Sequence, residues 1–254
     1  MVVLEIKDAR KVVNNGLNEK KVLLEKIDLT LNQGDFVTVL GGNGAGKSTL
    51  FNVISGSLAL SRGQIILNEQ DITKDSEETR AKGIARVFQD PKMGTAPRMT
   101  VAENLLLAES RGLKRGLKMR QLNEKKAGYE QLCAQIGNGL EAHLDTPTGN
   151  LSGGQRQALS LLMATLRKPE LLLLDEHTAA LDPKTAKQLM AITGQIVSEQ
   201  QLTCMMITHR MEDALNYGNR LILLKKGQIA KDLNAQEKAQ LSLHDLLLFF
   251  EDDL

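Results

Sequence analysis

Phe36-Val37-Thr38-Val39-Leu40-Gly41-Gly42-Asn43-Gly44-Ala45-Gly46-Lys47-Ser48-Thr49 is a short apolar run that breaks into glycines and ends on a lysine and two hydroxyls. From Gly41 to Ser48 it fits the pattern G-x-x-x-x-G-K-[ST], placed after a buried strand and before a helix that should start at Lys47. The residue types match a phosphate cradle. Glycines let the backbone wrap so that several N–H groups point inward at phosphate oxygens. The following helix adds its positive end. Lys47 offers a mobile charge to the β- and γ-phosphates of a nucleotide, and Ser48 offers a hydroxyl oxygen to Mg²⁺. The plainer alternative is a glycine-rich turn with an accidental Lys-Ser.

Downstream, Leu171-Leu172-Leu173-Leu174-Asp175-Glu176 reads as a buried parallel strand with two carboxylates at its carboxyl end. In open α/β sheets ligands sit at that end. Asp175 is placed to hold the Mg²⁺ shell, and Glu176 to polarise an attacking water. Between and around these motifs strands and helices alternate. Residues 2–6, 22–31, 64–67, 203–207 and 221–224 read as strands, with a turn at 14–18. Helices are expected after Pro183 and from about Met211. Residues from about 100 to 166 read as mostly helical, and the tail from Asn234 as one amphipathic helix burying Leu241, Leu243, Leu246, Leu247 and Phe250. The pattern predicts an α/β fold with a helical insertion. No internal repeat or low-complexity linker interrupts it.

The 254 residues are 42% hydrophobic and 25% charged, enough apolar material for a sizeable core. A formal net charge of +1 gives no pointer to nucleic acid or to an acidic partner. Cys133 and Cys204 lie far apart, outside any metal-like spacing, and read as buried thiols of a reducing compartment. The first ten residues lack the apolar core of a signal peptide, and no apolar run approaches the roughly 20 residues that span a bilayer. A cytoplasmic location is expected, with membrane contact only from the side or through a partner. The run from Arg111 to Arg120 carries five basic residues. It reads as a solvated face, or alternatively as a contact for anionic headgroups.

Leu151-Ser152-Gly153-Gly154-Gln155 opens a helix with Ser152 as its N-cap. With the phosphate loop upstream and Leu171–Glu176 downstream, this string resembles the signature of the ATP-binding cassette (ABC) family, and the likeness covers nearly the whole chain. The resemblance implies a P-loop NTPase core with a mainly parallel sheet, an N-terminal antiparallel β subdomain and an inserted helical subdomain. The expected division is a core at 1–88 and 168–232, a helical subdomain at 89–167 and a helical tail at 233–254. It also implies an ATPase that uses ATP and Mg²⁺. In the family the signature of one subunit caps the γ-phosphate held by the loop of the other, so one copy of each motif implies two composite sites across a homodimer.

Other positions match the family one at a time. Gln89 corresponds to the glutamine that senses Mg²⁺ and water and relays to a membrane partner. Asp182, in Ala180-Leu181-Asp182, resembles the polar member of the loop that crosses the dimer interface. His209 resembles the histidine that contacts the γ-phosphate and steadies the catalytic glutamate. The resemblance thus gives Glu176, His209, Lys47 and Gln89 to catalysis and Ser48, Gln89 and Asp175 to the metal. Gly41, Asn43, Gly44, Ala45, Gly46, Lys47, Ser48 and Thr49 fall to the nucleotide, with Ser152, Gly153, Gly154, Gln155 and Asp182 from the facing subunit. His177 stands where many relatives have proline and reads as local variation. Residues 90–100 correspond to the groove that receives a short helix of a membrane permease.

One departure concerns the base. Similar proteins stack an aromatic on adenine, and this chain has none before Phe36. The slot falls near Val13, leaving apolar contact from Val13 and Val22. Lost stacking, worth roughly 1–3 kcal/mol, implies weaker nucleotide affinity; poor base selectivity, with GTP used nearly as well as ATP, is the further expectation. Taken together the chain looks most like the ATPase subunit of a bacterial importer at the cytoplasmic membrane face. It is most similar to a group serving amino-acid-type solutes, aromatic ones included, with a separate extracytoplasmic solute-binding protein. The alternatives are an exporter subunit, or a soluble ABC ATPase of the translation or DNA-repair kind. The latter usually has two cassettes or a long coiled coil and binds nucleic acid, which the near-neutral charge disfavours.

Overall fold

The structure, a computed structural model, describes residues 1–14, 20–113 and 121–251. Along the chain run β1 (Val2–Asn14), β2 (Lys20–Asn32), β3 (Phe36–Gly41), α1 (Lys47–Ser55), β4 (Arg62–Leu67), β5 (Gln70–Asp71), α2 (Glu77–Arg80) and β6 (Ile84–Val87). Then follow α3 (Val101–Glu109), α4 (Leu122–Ala134), α5 (Gly153–Thr165), β7 (Leu171–Asp175), α6 (Pro183–Glu199), β8 (Cys204–Ile207), α7 (Met211–Asn216), β9 (Arg220–Lys225), β10 (Gln228–Leu233), α8 (Ala235–Ala239) and α9 (Leu243–Glu251). The chain forms two compact units, Met1–Arg80 with Gln201–Leu254, and Ala81–Gln200.

In the first unit, β2, β1, β4 and β5 make an antiparallel sheet. β2 shows why: Ile27, Leu29 and Leu31 are buried while Asp28, Thr30 and Asn32 are exposed, the period-2 alternation of a strand with one wet face. β3 behaves differently. All six of its residues are buried, and it pairs in parallel with β8 on one side and β9 on the other. β9 returns antiparallel through β10 by a Lys226-Gly227 turn with φ of 49° and 78°. Positive φ at both positions is the geometry that matches the twist of a two-residue hairpin. The β4–β5 hairpin uses Asn68-Glu69 in the same way, at 44° and 67°.

The tail departs from the sequence expectation. It is two helices, α8 capped by Asn234 and then α9. Leu246 is buried with Leu40, Ala214, Leu221 and Leu223, while Leu241 and Phe250 pack partly against them. Leu243 and Leu247, expected on the buried side, are exposed. Leu243, Leu246, Leu247 and Phe250 share α9, whose buried side is a narrow stripe centred on Leu246; Leu247, about 100° further round the helix, and Leu243, its first residue, stand outside that stripe.

In the second unit β6 and β7 pair in parallel, and the remainder is largely helical. Thr100 and Glu103 cap α3 reciprocally, and short 3-10 turns at Pro91–Met93, Leu140–His143 and Thr148–Asn150 join the longer helices. The expected basic face is described only in part, since residues 114–120 lie outside the described residues, as do 15–18 of the expected first turn. Arg111 is half-buried and donates to the carbonyls of Ala164 and Arg167. It therefore braces the end of α5, and burial lowers its pKa from the usual arginine value. Among the described residues no helix is long and apolar enough to cross a membrane.

Candidate nucleotide site

The phosphate loop hangs between the end of β3 and the start of α1. α1 begins after Gly46, whose φ is 104°, and ends at Gly56, whose φ is 88°. Leu50, Phe51, Val53 and Ile54 are its buried side. Two glycines are demanded by space. A Cβ on Gly41 would lie 2.6 Å from the Leu224 carbonyl oxygen of β9, and one on Gly46 would lie 2.9 Å from the Leu23 carbonyl oxygen. Gly42 and Gly44 meet nothing within 4 Å, so the loop's outer side is open to a ligand approaching the backbone closely. The Ala45 carbonyl accepts from Gly227 N–H at 2.9 Å, and the Gly227 carbonyl accepts from Glu25 N–H at 2.9 Å. The hairpin turn thereby clamps the loop to β2.

Lys47 is 6% exposed, and its ammonium donates to the carbonyl oxygens of Gly41 at 2.7 Å and Gly42 at 3.1 Å. It is curled into the cradle that a phosphate would share. Asn43 and Ser48 are exposed, Ala45 is buried and Thr49 partly so. Val39 is level with Ile207 in the parallel β3–β8 pair. Gly41 and His209, two residues on in each strand, therefore leave the sheet at the same end, and His209 is exposed there. At the ribbon of β1 and β2, Val12 pairs with Val22 and Val13 with Lys21. The two valines named for the base, Val13 and Val22, are thus on opposite faces; Val22 shares its side with Val12, Arg10, Asn14 and Lys20 around an open cavity of about 480 Å³.

In the second unit the β6–β7 register sets Val87 level with Leu174, so Gln89 and Glu176 leave their strands at one end. Gln89 is exposed; Asp175 is buried and ion-paired with Arg86 at 2.5 Å. The Arg86 guanidinium also lies 4.8 Å from the centre of the Phe88 ring. Glu176 adopts φ 48°, a left-handed backbone that costs a residue with a side chain about 1 kcal/mol or more. Asp182 caps α6, accepting from Thr185 N–H at 3.1 Å, and hydrogen bonds from Thr185 lower its carboxyl pKa.

Ser152 and Gln155 form a reciprocal capping box at the start of α5, each side chain bonded to the other's backbone N–H at 3.2 Å. Ser152 and Gly153 are exposed. Gly154 is where α6 comes close: a Cβ there would lie 2.6 Å from the Thr185 methyl. Two residues passed over in the sequence hold this corner. Arg156 donates to the carbonyls of Thr148 at 2.9 Å and Gly149 at 2.8 Å, fixing the approach to Ser152. Gln157 donates to the Phe88 carbonyl at 2.9 Å, tying α5 to the segment that carries Gln89. Their place directly after Leu151–Gln155 was the available signal. Beyond Gln89, Asn104 is fully buried and bonds to Ala96 N–H and to the carbonyls of Ala96, Met99 and Thr100. The 96–100 end of the stretch is thus pinned to α3, while Met93 stands 70% exposed.

Among the described residues no group of three or more His, Cys, Asp or Glu side chains is gathered as a metal centre. Mg²⁺ commonly takes one or two protein oxygens and fills its shell with phosphate and water. An exposed Ser48 hydroxyl beside an open, glycine-lined loop is a donor of that kind.

A loop of this geometry on a buried parallel strand defines a phosphate-loop nucleotide-binding protein. The ABC transporter family model matches residues 24–179. A tyrosine transport ATP-binding protein of Clostridioides difficile is 45% identical over 98% of this chain and 99% of its own length. A thiamine import ATP-binding protein of Haemophilus influenzae is 32% identical over 86% of this chain and 96% of its own. Among solved structures, a dimeric ATP-binding cassette in a post-hydrolysis state with ADP and phosphate is 25% identical with a TM-score of 0.77, covering 91% of this chain and 98% of that one. A nucleotide-free cassette of an ABC transporter is 26% identical with a TM-score of 0.76, covering 98% and 96%. The chain belongs to the ABC transporter family, as one of its ATP-binding, ATP-hydrolysing members.

Proposed function

We propose that the chain is the ATPase subunit of a solute importer, working as a head-to-tail homodimer on the cytoplasmic face beneath separate membrane-spanning permease subunits. The observation that carries this is the 45% identity, end to end, with a tyrosine transport ATP-binding protein. An aromatic or related amino acid is accordingly the proposed solute, delivered by an extracytoplasmic solute-binding protein.

In this reading the loop amides and Lys47 bind the nucleotide phosphates, with Asn43 and Thr49 at the rim. Bound Mg²⁺, held by Ser48, Asp175 and Gln89, would supply charge neutralisation between the phosphates. Glu176 polarises the attacking water, and His209 steadies the γ-phosphate. Ser152, Gly153, Gly154 and Gln155, with Asp182, complete the site on the facing subunit; the exposed capped helix start supports that role. Met93 and its pinned surroundings take a short helix of the permease. A base held without stacking makes GTP a substrate close to ATP.

The test is affinity purification of the tagged protein from detergent-solubilised membranes. A co-purifying permease linked to a solute receptor supports the proposal. Ribosomal proteins or DNA in its place overturn it.

A further inference from the structure

His177 has no part in the roles assigned above, yet it directly follows Glu176 and is among the most deeply enclosed polar side chains, at 2% exposure. Its Nε2 lies 3.0 Å from Thr193 Oγ1 on α6. Thr193 is fully buried, and its hydroxyl lies 2.8 Å from the Leu189 carbonyl oxygen one turn back. A hydroxyl has one proton, and a carbonyl can only accept. The proton therefore goes to Leu189, and Thr193 Oγ1 accepts from His177 Nε2–H. The ring is the neutral Nε2–H tautomer, in keeping with burial, which lowers its pKa to about 4.

The position of this bond matters because of what precedes it. Glu176 holds the left-handed φ of 48°, and its carbonyl accepts from Ala179 N–H at 2.9 Å in the turn that follows. A backbone of that kind persists where its surroundings over-determine it. Upstream, β7 is fixed by its ladder to β6. Downstream, the first side chain able to fix the peptide is His177, and it is anchored to the middle of a seventeen-residue helix.

We infer that His177 is a positioning residue for Glu176, its hydrogen bond to Thr193 locking the turn after β7 onto α6 and so setting the direction in which the carboxylate leaves the strand. The inference rests on Glu176 as the residue that polarises water. It assigns a hydrolytic consequence to a buried imidazole–hydroxyl pair.

The experiment compares Thr193→Val, Thr193→Ser and His177→Gln with Glu176→Gln and the native chain, reading kcat and KM for ATP, affinity for a fluorescent ATP analogue, and Tm. Thr193→Val keeps the volume and removes the acceptor. It is expected to lower kcat roughly ten- to a hundredfold, the scale of a misplaced catalytic group, with KM and analogue affinity within about twofold. Thr193→Ser restores the hydroxyl, and His177→Gln keeps a side-chain N–H; both are expected to retain most of kcat. Native kcat in Thr193→Val, where Glu176→Gln is inactive, overturns the inference and leaves the role of Glu176 standing. Equal loss of kcat in Thr193→Ser and Thr193→Val also overturns it, since packing rather than the bond would then be responsible. Native turnover by Glu176→Gln removes the ground beneath both.

Discussion

At the scale of single residues, the chain places its polar groups economically. Lys47 is buried and held by two carbonyls of its own loop, which direct its ammonium into the cradle. Glu176 is carried on a strained backbone at a strand end. Replacing Glu176 with Gln is expected to leave ATP binding intact and to lower turnover by at least about a hundredfold, the range for a lost general base; single-turnover kinetics reads this directly. The two cysteines give an independent check on the core. Burial pushes the Cys133 thiol up to about 12 and raises that of Cys204 well above its ordinary value. Neither is expected to react with a thiol reagent at pH 8 while the protein is folded, and both should react after denaturation. The phosphate and acidic motifs were legible in sequence because chemistry dictates their residue types. His177 and Thr193 were not, because a histidine and a threonine sixteen positions apart carry no pattern until α6 brings them together.

Among secondary elements, legibility followed burial. β3 and β7 stood out as mainly apolar runs because parallel strands are covered on both faces. β6 and β10 were passed over: β6 is four residues long with an arginine in it, and β10 is mostly exposed. The Lys226-Gly227 dipeptide ahead of β10 was the signal to use. Its turn does more than reverse the chain, since Gly227 clamps the phosphate loop to β2. Gly41 is caught in the same corner. Gly41→Ala is expected to cost about 1–3 kcal/mol of stability through overpacking against β9, measured by urea unfolding with an unchanged m-value. Asn104 plays a comparable part for the 96–100 end of the stretch 90–100. Asn104→Ala leaves the Ala96 N–H without its acceptor and removes three further bonds to the loop carbonyls, and is expected to cost about 1–3 kcal/mol, with hydrogen exchange rising at Ala96.

For the whole molecule, the sequence showed a cassette through three strings in the right order, and the family match bears this out. It showed less of the nucleotide's base. Val13 and Val22, paired by resemblance and apolar character, lie on opposite sides of one ribbon, because strand register was not readable through the irregular pairing near Lys11. Initial rates with GTP are expected to be close to those with ATP, since apolar contact alone supplies no hydrogen bond that tells guanine from adenine. The central claim is that two chains build each hydrolytic site, Lys47 of one facing Ser152 of the other. Light scattering of the Glu176→Gln variant measures this most directly. With ATP the mass should be twice that of the 27.9 kDa chain, and adding either Lys47→Ala or Ser152→Arg should return it to that of a single chain. A Glu176→Gln chain that stays single with ATP, or an ATP-dependent dimer that survives Ser152→Arg, would contradict it.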